Sequence, residues 1–405
     1  MTATSDSLAI RPLAPGQSIH ATIRVPGSKS VTNRALLIAA LAEGDSTLEN
    51  ALVSDDSIHM VNSLRRLGFA IEQTNHDPAT ATFVVLGESG RIPSNKANLF
   101  VGNSGTTARF LTAAIGLGKG VYHIDGVARM RERPISPLID ALQPLFPTDP
   151  AGIGIESDDG KFPLTINAAG LYGGLTWLNA SASSQFLSAL LMVAPYAATP
   201  VQIELTGPLV SEPYIETTIR MMDQFGVVVT RPEPRVFHLP TGRYHGQRYA
   251  VEPDASNATY FFAAAAVTGG FVTVPYLTRG SLQGDLHFLD VLTRMGCALL
   301  RGPYTAPQSK LIRTTGWRWL LRSPVCVYQA LSLPIRPAPI RPSRTFLNDS
   351  PGCIQRIRKV ASLDRAAVRS TNRHIDDDRF DYRRANPIGR TDWLADHPFA
   401  VTIDA

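Results

Sequence analysis

A chain of 405 residues is longer than one hydrophobic core ordinarily serves, so two or three domains are expected. An apolar share of 44% beside 18% charged residues excludes a chain that is disordered throughout, and no apolar run approaches a membrane span. The net charge of +5 is uneven: residues 1–300 carry 21 Lys and Arg against 25 acidic residues, whereas residues 301–405 carry 18 against nine Asp and no Glu.

From the N-terminus onward, four stretches share one plan. Each opens with a polar turn able to cap a helix and continues as an alanine-rich apolar helix. A glycine and a β-rich run follow, then a second, amphipathic helix ending near glycine. The copies start at Ser28, Asn103, Ser183 and Asp254, which are 75, 80 and 71 residues apart. That period suits a compact unit of two helices and several strands, hence an α/β protein built from repeats. The first helices are apolar nearly all round, so all four are expected to be buried. The second helices carry apolar residues at three- and four-residue steps, as at Ile215, Ile219, Met222 and Phe225. Several helix N-termini gathered at one core edge imply a composite anion site.

In "VPGSKSVTNRA" (25–35), Pro26 and Gly27 turn the chain and Ser28 or Ser30 can cap the helix. Ser30 and Arg34 share a face beside Lys29. Two cations at the positive end of a helix oppose its dipole, unless a phosphate or carboxylate lies between them; otherwise they are solvated charges on a capped helix. Asp55 and Asp56 favour the start of the following helix. "GNSGTTAR" (102–109) repeats the theme, with Gly105 four residues before Arg109 as Ser30 is before Arg34. "ARMRERP" (128–134) alternates Arg129, Arg131 and Arg133, which if extended face one way and need an anion to join them. "SASSQF" (181–186) offers hydroxyls and an amide at a helix start, and Ser211 in "SEPY" is placed similarly. Cys297, Cys326 and Cys353 form no CxxC pair and the nine histidines show no ligand spacing, against a metal centre or disulfide framework. With no basic, hydrophobic leader visible, a cytoplasmic protein is expected.

In this order, "PGSKSVTNRA", "GNSGTTAR", "RMRERPI", "SSQFLSALL", "SEPYIE", "DASNATYF" and "LQGD" resemble the EPSP synthase (3-phosphoshikimate 1-carboxyvinyltransferase) family of enolpyruvyl transferases over about residues 10–300. The resemblance implies two domains of three βαβαββ units each, forming an inside-out α/β barrel that closes on substrate. It places residues 1–27 with 250–300 in one incomplete domain and residues 28–249 in the other. It implies transfer of the enolpyruvyl group of phosphoenolpyruvate to the 5-hydroxyl of shikimate 3-phosphate, with no cofactor, in chorismate and aromatic amino acid biosynthesis. Lys29, Ser30, Arg34, Ser183, Ser184, Gln185 and Ser211 would hold shikimate 3-phosphate. Lys29, Asn103, Gly105, Arg129 and Gln185 would hold phosphoenolpyruvate, with Lys29 and Gln185 also catalytic. The resemblance is to a monomer that engages neither membrane nor nucleic acid.

Beyond about Cys297 the resemblance stops. Residues 301–405 hold 16 Arg, 10 Pro and no sustained period, and the family's later acidic, Lys-Glu-Thr-Asp-Arg and Asp-His-Arg motifs are missing. This segment reads as a shifted reading frame or a disordered basic tail, and little or no turnover is expected. Two other functions are alternatives: enolpyruvyl transfer to an acceptor such as a UDP-amino sugar, and nucleic-acid binding through the basic tail.

Overall fold

A computed structural model describes residues 12–149, 151–301 and 400–404. Contacts divide the chain into one unit of residues 1–310 with 399–405 and a second of residues 311–398, which lies outside the described residues. The expectation that residues 301–405 are a disordered tail therefore falls mostly outside them too.

The chain opens with β1 (His20–Thr22), α1 (Lys29–Leu41), β2 (Asp45–Leu52), α2 (Asp55–Arg66), β3 (Ile71–Asn75) and β4 (Thr80–Leu86). Next come β5 (Lys96–Phe100), α3 (Gly105–Ile115), β6 (Lys119–Asp125), a one-turn α4 (Ala128–Arg131), α5 (Ser136–Leu142), β7 (Gly154–Glu156) and β8 (Leu164–Ala169). The third group is β9 (Gly174–Leu178), α6 (Ser184–Val193), β10 (Val201–Leu205), α7 (Glu212–Gln224), β11 (Thr230–Glu233) and β12 (Val236–Leu239). The last is β13 (Arg248–Ala250), α8 (Ala255–Thr268), β14 (Phe271–Thr278), α9 (His287–Arg294), β15 (Ala298–Arg301) and β16 (Ala400–Asp404).

Among the described residues the strands form four separate four-stranded sheets, one per repeat. Three share an order, β13-β2-β4-β3, β5-β6-β8-β7 and β9-β10-β12-β11, in which the first two strands are parallel and the second and third in space antiparallel. The fourth is β1-β14-β16-β15. Its β16 holds the place that β4, β8 and β12 hold elsewhere, but runs parallel to β14. Residues 400–404, which the sequence leaves in the basic tail, are thus a strand of this sheet.

The opening strands of the first and fourth units are exchanged: β1 completes the fourth sheet and β13 the first. The two crossing segments are bonded to each other. Gly27 bridges Pro253, the Ser28 amide donates to the Glu252 carbonyl at 2.8 Å, and the Asp254 amide donates to Pro26 at 2.9 Å. Gly27 is needed because a Cβ there would lie 1.9 Å from the Asn50 carbonyl oxygen. This pairing delivers the chain to the start of α1.

The apolar interior falls into two clusters, one spanning the first three units and one around α8, β14 and α9. Eleven of 13 residues in α1, ten of 11 in α3 and nine of 10 in α6 are buried. These helices are enclosed because α3 packs on both α1 and α6, while α7 covers α1 and α6. The expectation of four buried first helices fails at the fourth, where only four of 14 residues of α8 are buried. Among the described residues the main neighbours of α8 are β14, β16 and α9, all from its own unit.

Candidate functional site

The helix starts Ser28, Ser104, Ser183 and Asp254 fall at or beside the four predicted positions. Ser28 occupies the cap position of α1 without a side-chain cap bond. The Asp254 carboxylate instead accepts from the Lys29 amide at 3.3 Å. The Lys29 ammonium lies 3.4 Å from the Asp56 carboxylate in the first turn of α2, and half of the lysine side chain is exposed. Asp56 also accepts the Ser104 hydroxyl at 2.5 Å, while Ser104 caps α3 by accepting from the Thr107 amide at 3.3 Å. One carboxylate therefore fastens the starts of α1 and α3 to that of α2. It also partly answers the dipole conflict at Lys29.

Behind Lys29, Arg34 is 2% exposed. Its Nε donates to Thr218 at 2.7 Å, Nη2 to Ser188 at 3.1 Å and to the Tyr214 carbonyl at 3.2 Å, and Nη1 to the Ser30 carbonyl at 3.0 Å. The guanidinium stacks 5.3 Å from the centre of Phe110. Four of its five N–H groups are committed to neutral partners, and no carboxylate forms an ion pair with it among the described residues. Burial pushes its pKa down to about 10, so it stays charged at neutral pH.

Arg109 repeats this situation one helix away. Its Nη1 donates to the Gly105 carbonyl at 3.1 Å and to Gln185 Oε1 at 2.9 Å, and its ring contact is Phe186 at 5.2 Å. Its Nε is buried without a hydrogen-bond partner. Gln185 in turn donates to Thr106 at 3.3 Å. Burial, then repulsion from Arg133, lowers the Arg109 pKa to about 10. A Cβ on Gly105 would sit 2.5 Å from Arg109 Nη1 and 2.8 Å from Arg133 Nη1, so both guanidiniums close on that one residue. Neither forms an ion pair with a described carboxylate. Two like charges held together in partial burial are costly unless an anion joins them.

A direct consequence concerns Gly105→Ala. The clashing atoms are the ends of long side chains, so the fold survives and the two guanidiniums move. Under the role that the resemblance implies for Gly105, affinity for phosphoenolpyruvate should fall about tenfold or more, with the unfolding midpoint nearly unchanged. Isothermal calorimetry beside a urea titration checks this; unchanged affinity would show that the cluster is not where the anion sits.

The remaining predicted residues are distributed as follows. Ser30 is in the first turn of α1, bound to Arg34 through its carbonyl. Asn103 is exposed in the turn before α3. Ser183 caps α6 by accepting the Gln185 amide at 3.2 Å, and Ser184 follows it buried. Ser211 precedes α7 in a left-handed conformation (φ 54°) and makes no side-chain cap bond. The extended reading of residues 129–133 is corrected: Ala128–Arg131 is a helical turn, so the three arginines part. Arg129 is exposed, Arg131 pairs with Asp125, and Arg133 is the one that reaches Gly105. Sequence reasoning missed Asp56, Arg109 and Arg133 as members of the cluster. The four-residue spacing of Gly105 and Arg109 was a visible signal for one of them.

Among the described residues no group of three or more His, Cys, Asp or Glu could hold a metal, and no helix is long and apolar enough to cross a membrane. The chain matches the family model described as EPSP synthase (3-phosphoshikimate 1-carboxyvinyltransferase) over residues 13–314. Proteins named 3-phosphoshikimate 1-carboxyvinyltransferase from Trichormus variabilis and a Nostoc species are each 50% identical over 298 residues, covering 73% of this chain and 68% of theirs. One from Vibrio vulnificus is 44% identical over 301 residues, covering 73% of this chain and 67% of its own. Two structures of EPSP synthase from Acinetobacter baumannii align with TM-scores of 0.57 and 0.58 at 24% and 25% identity, over 69% of this chain and 60% of theirs. These two are a likeness of fold. Repeated units, helix starts and sequence agree in one assignment: the chain belongs to the EPSP synthase family.

Proposed function

We propose that this chain binds shikimate 3-phosphate and phosphoenolpyruvate and carries the upstream half of an enolpyruvyl-transfer site. The observation that supports this most is the pair of buried, carboxylate-free guanidiniums, Arg34 and Arg109, beside Lys29 and Arg133. Two phosphates and two carboxylates supply the missing negative charge. In the transfer, the 5-hydroxyl oxygen of shikimate 3-phosphate bonds to C2 of phosphoenolpyruvate while C3 takes a proton. The tetrahedral intermediate then loses phosphate and returns a proton from C3, leaving the enol ether.

On this reading Lys29 and Gln185 lie between the substrates, with Ser30, Ser183, Ser184 and Ser211 toward shikimate 3-phosphate and Asn103 and Gly105 toward phosphoenolpyruvate. Arg34 is also toward shikimate 3-phosphate while holding α1 against α6 and α7. Arg129 is also toward phosphoenolpyruvate, with Arg133 beside Gly105. Residues 1–27 with 250–300 form one domain and 28–249 the other. No finding favours a nucleotide-sugar acceptor or a nucleic acid.

Calorimetry of the full chain with shikimate 3-phosphate tests the reading. Binding that disappears in Lys29→Ala is expected, and no heat from a folded protein sinks it. Turnover is expected to be at least about 10²-fold below that of a full-length relative, because the later motifs are missing.

A further inference from the structure

Gln283 lies in the loop between β14 and α9, the "LQGD" stretch, and is 8% exposed. Both ends of its amide are bonded. Its Oε1 accepts from the Ala255 amide at 2.9 Å, and its Nε2 donates to the Pro253 carbonyl at 2.8 Å and to the Glu252 carboxylate at 3.0 Å. A donor on one side and acceptors on the other fix which way round the amide lies. The two backbone partners belong to the residues on either side of Asp254. Glu252 tightens the same grip by accepting from the Ser281 hydroxyl and from the Leu282 amide at 2.9 Å. One side chain thus straddles Asp254 and holds the backbone before and after it.

Asp254 is itself 8% exposed and forms no ion pair among the described residues. Its carboxylate is shared between two helix starts. One oxygen accepts from the Asn257 amide of α8 at 2.8 Å, the other from the Lys29 amide of α1 at 3.3 Å. Helix α1 has no cap of its own, since Ser28 makes no side-chain cap bond. The bond to Lys29 is the longer of the two and lies near the outer limit for an N–H donor, so a small shift of Asp254 breaks it first.

We propose that Gln283 is a positioning residue for the anion site. By holding residues 253 and 255 it keeps the Asp254 carboxylate on the Lys29 amide, and so sets the first turn of α1, from which Lys29 and Ser30 meet shikimate 3-phosphate. The ligand in this statement rests on the transferase reading, whereas the positioning rests on the hydrogen bonds alone. An amide is needed at this place: a carboxylate could accept from Ala255 but could not donate to Pro253, and it would face Glu252. A methionine could do neither. A role confined to capping α8 would end at Ala255 and leave α1 unaffected.

NMR of the full chain tests the positioning without any ligand. In Gln283→Met and in Gln283→Glu, amide exchange at Lys29 should quicken about tenfold and its amide resonance should move. The glutamate variant, equal in size to the parent, keeps the test open if the methionine variant fails to fold. Thr217→Val is the control: it removes the 2.7 Å bond from α7 to the Leu282 carbonyl of the same loop and should leave Lys29 unmoved. Calorimetry with shikimate 3-phosphate should show affinity about tenfold lower in both Gln283 variants, with no further loss when Gln283→Met is added to Asp254→Ala. Unchanged exchange at Lys29 in the Gln283 variants overturns the proposal, and so does an equal effect of Thr217→Val. Quickened exchange with unchanged affinity, or a further tenfold loss on top of Asp254→Ala, overturns it as well. A parent chain that binds no shikimate 3-phosphate counts against the transferase reading instead, and exchange at Lys29 then still decides whether Gln283 positions α1.

Discussion

Replacing Arg34 by Ala should cost about 3–5 kcal/mol of stability, the largest effect of any single change in the site. The guanidinium joins α1 to α6 through Ser188 and to α7 through Thr218 and the Tyr214 carbonyl. Truncation removes these donors together and opens a cavity beside Phe110. Some of the loss is offset locally, because Thr218 already donates to the Tyr214 carbonyl at 2.8 Å and lies 2.9 Å from Ser188. Relief of the buried charge offsets a further part. A guanidinium chloride titration measures the net effect. A midpoint shift worth less than about 1 kcal/mol would show that Arg34 is held for the ligand alone and does not stitch the helices.

Arg109→Met should behave in the opposite way. Arg109 holds two acceptors through one nitrogen and leaves its Nε buried and unpartnered, so its charge is poorly compensated when no anion is bound. The sign follows from its pKa, which burial and then Arg133 lower on folding to about 10. The folded state thus resists protonation that the unfolded chain accepts, and the charge disfavours folding at every pH below about 10. That penalty fades as pH rises above about 10 toward the ordinary guanidinium range. The methionine variant should be more stable than the parent by about 1–3 kcal/mol at pH 7, with the gain shrinking above pH 10. Its affinity for phosphoenolpyruvate should fall about 100-fold, since a charge-assisted bond and half of a cationic pair are lost. Urea titrations at pH 7 and pH 10.5, with calorimetry, separate the two effects. A variant that is less stable at pH 7 would mean that Arg109 is an ordinary structural arginine.

Capping chemistry and apolar periodicity are local, so the sequence by itself located four helix starts to within a residue, and its expectation of buried first helices holds for three of the four. Lys29, Gly105 and Gln185, which the resemblance names as site residues, each lie at such a start. What the tertiary structure alone decided is non-local. The carboxylate that caps α1 comes from Asp254, 225 residues away, and the partner of Lys29 comes from α2. Among the three alternating arginines, a helical turn at 128–131 rather than a strand leaves Arg131 paired with Asp125 and brings Arg133 to Gly105. Helix α8 shows the limit most clearly. Its sequence is that of a buried helix, but burial belongs to the neighbours as much as to the helix, and no pattern within residues 255–268 reports whether those neighbours are there.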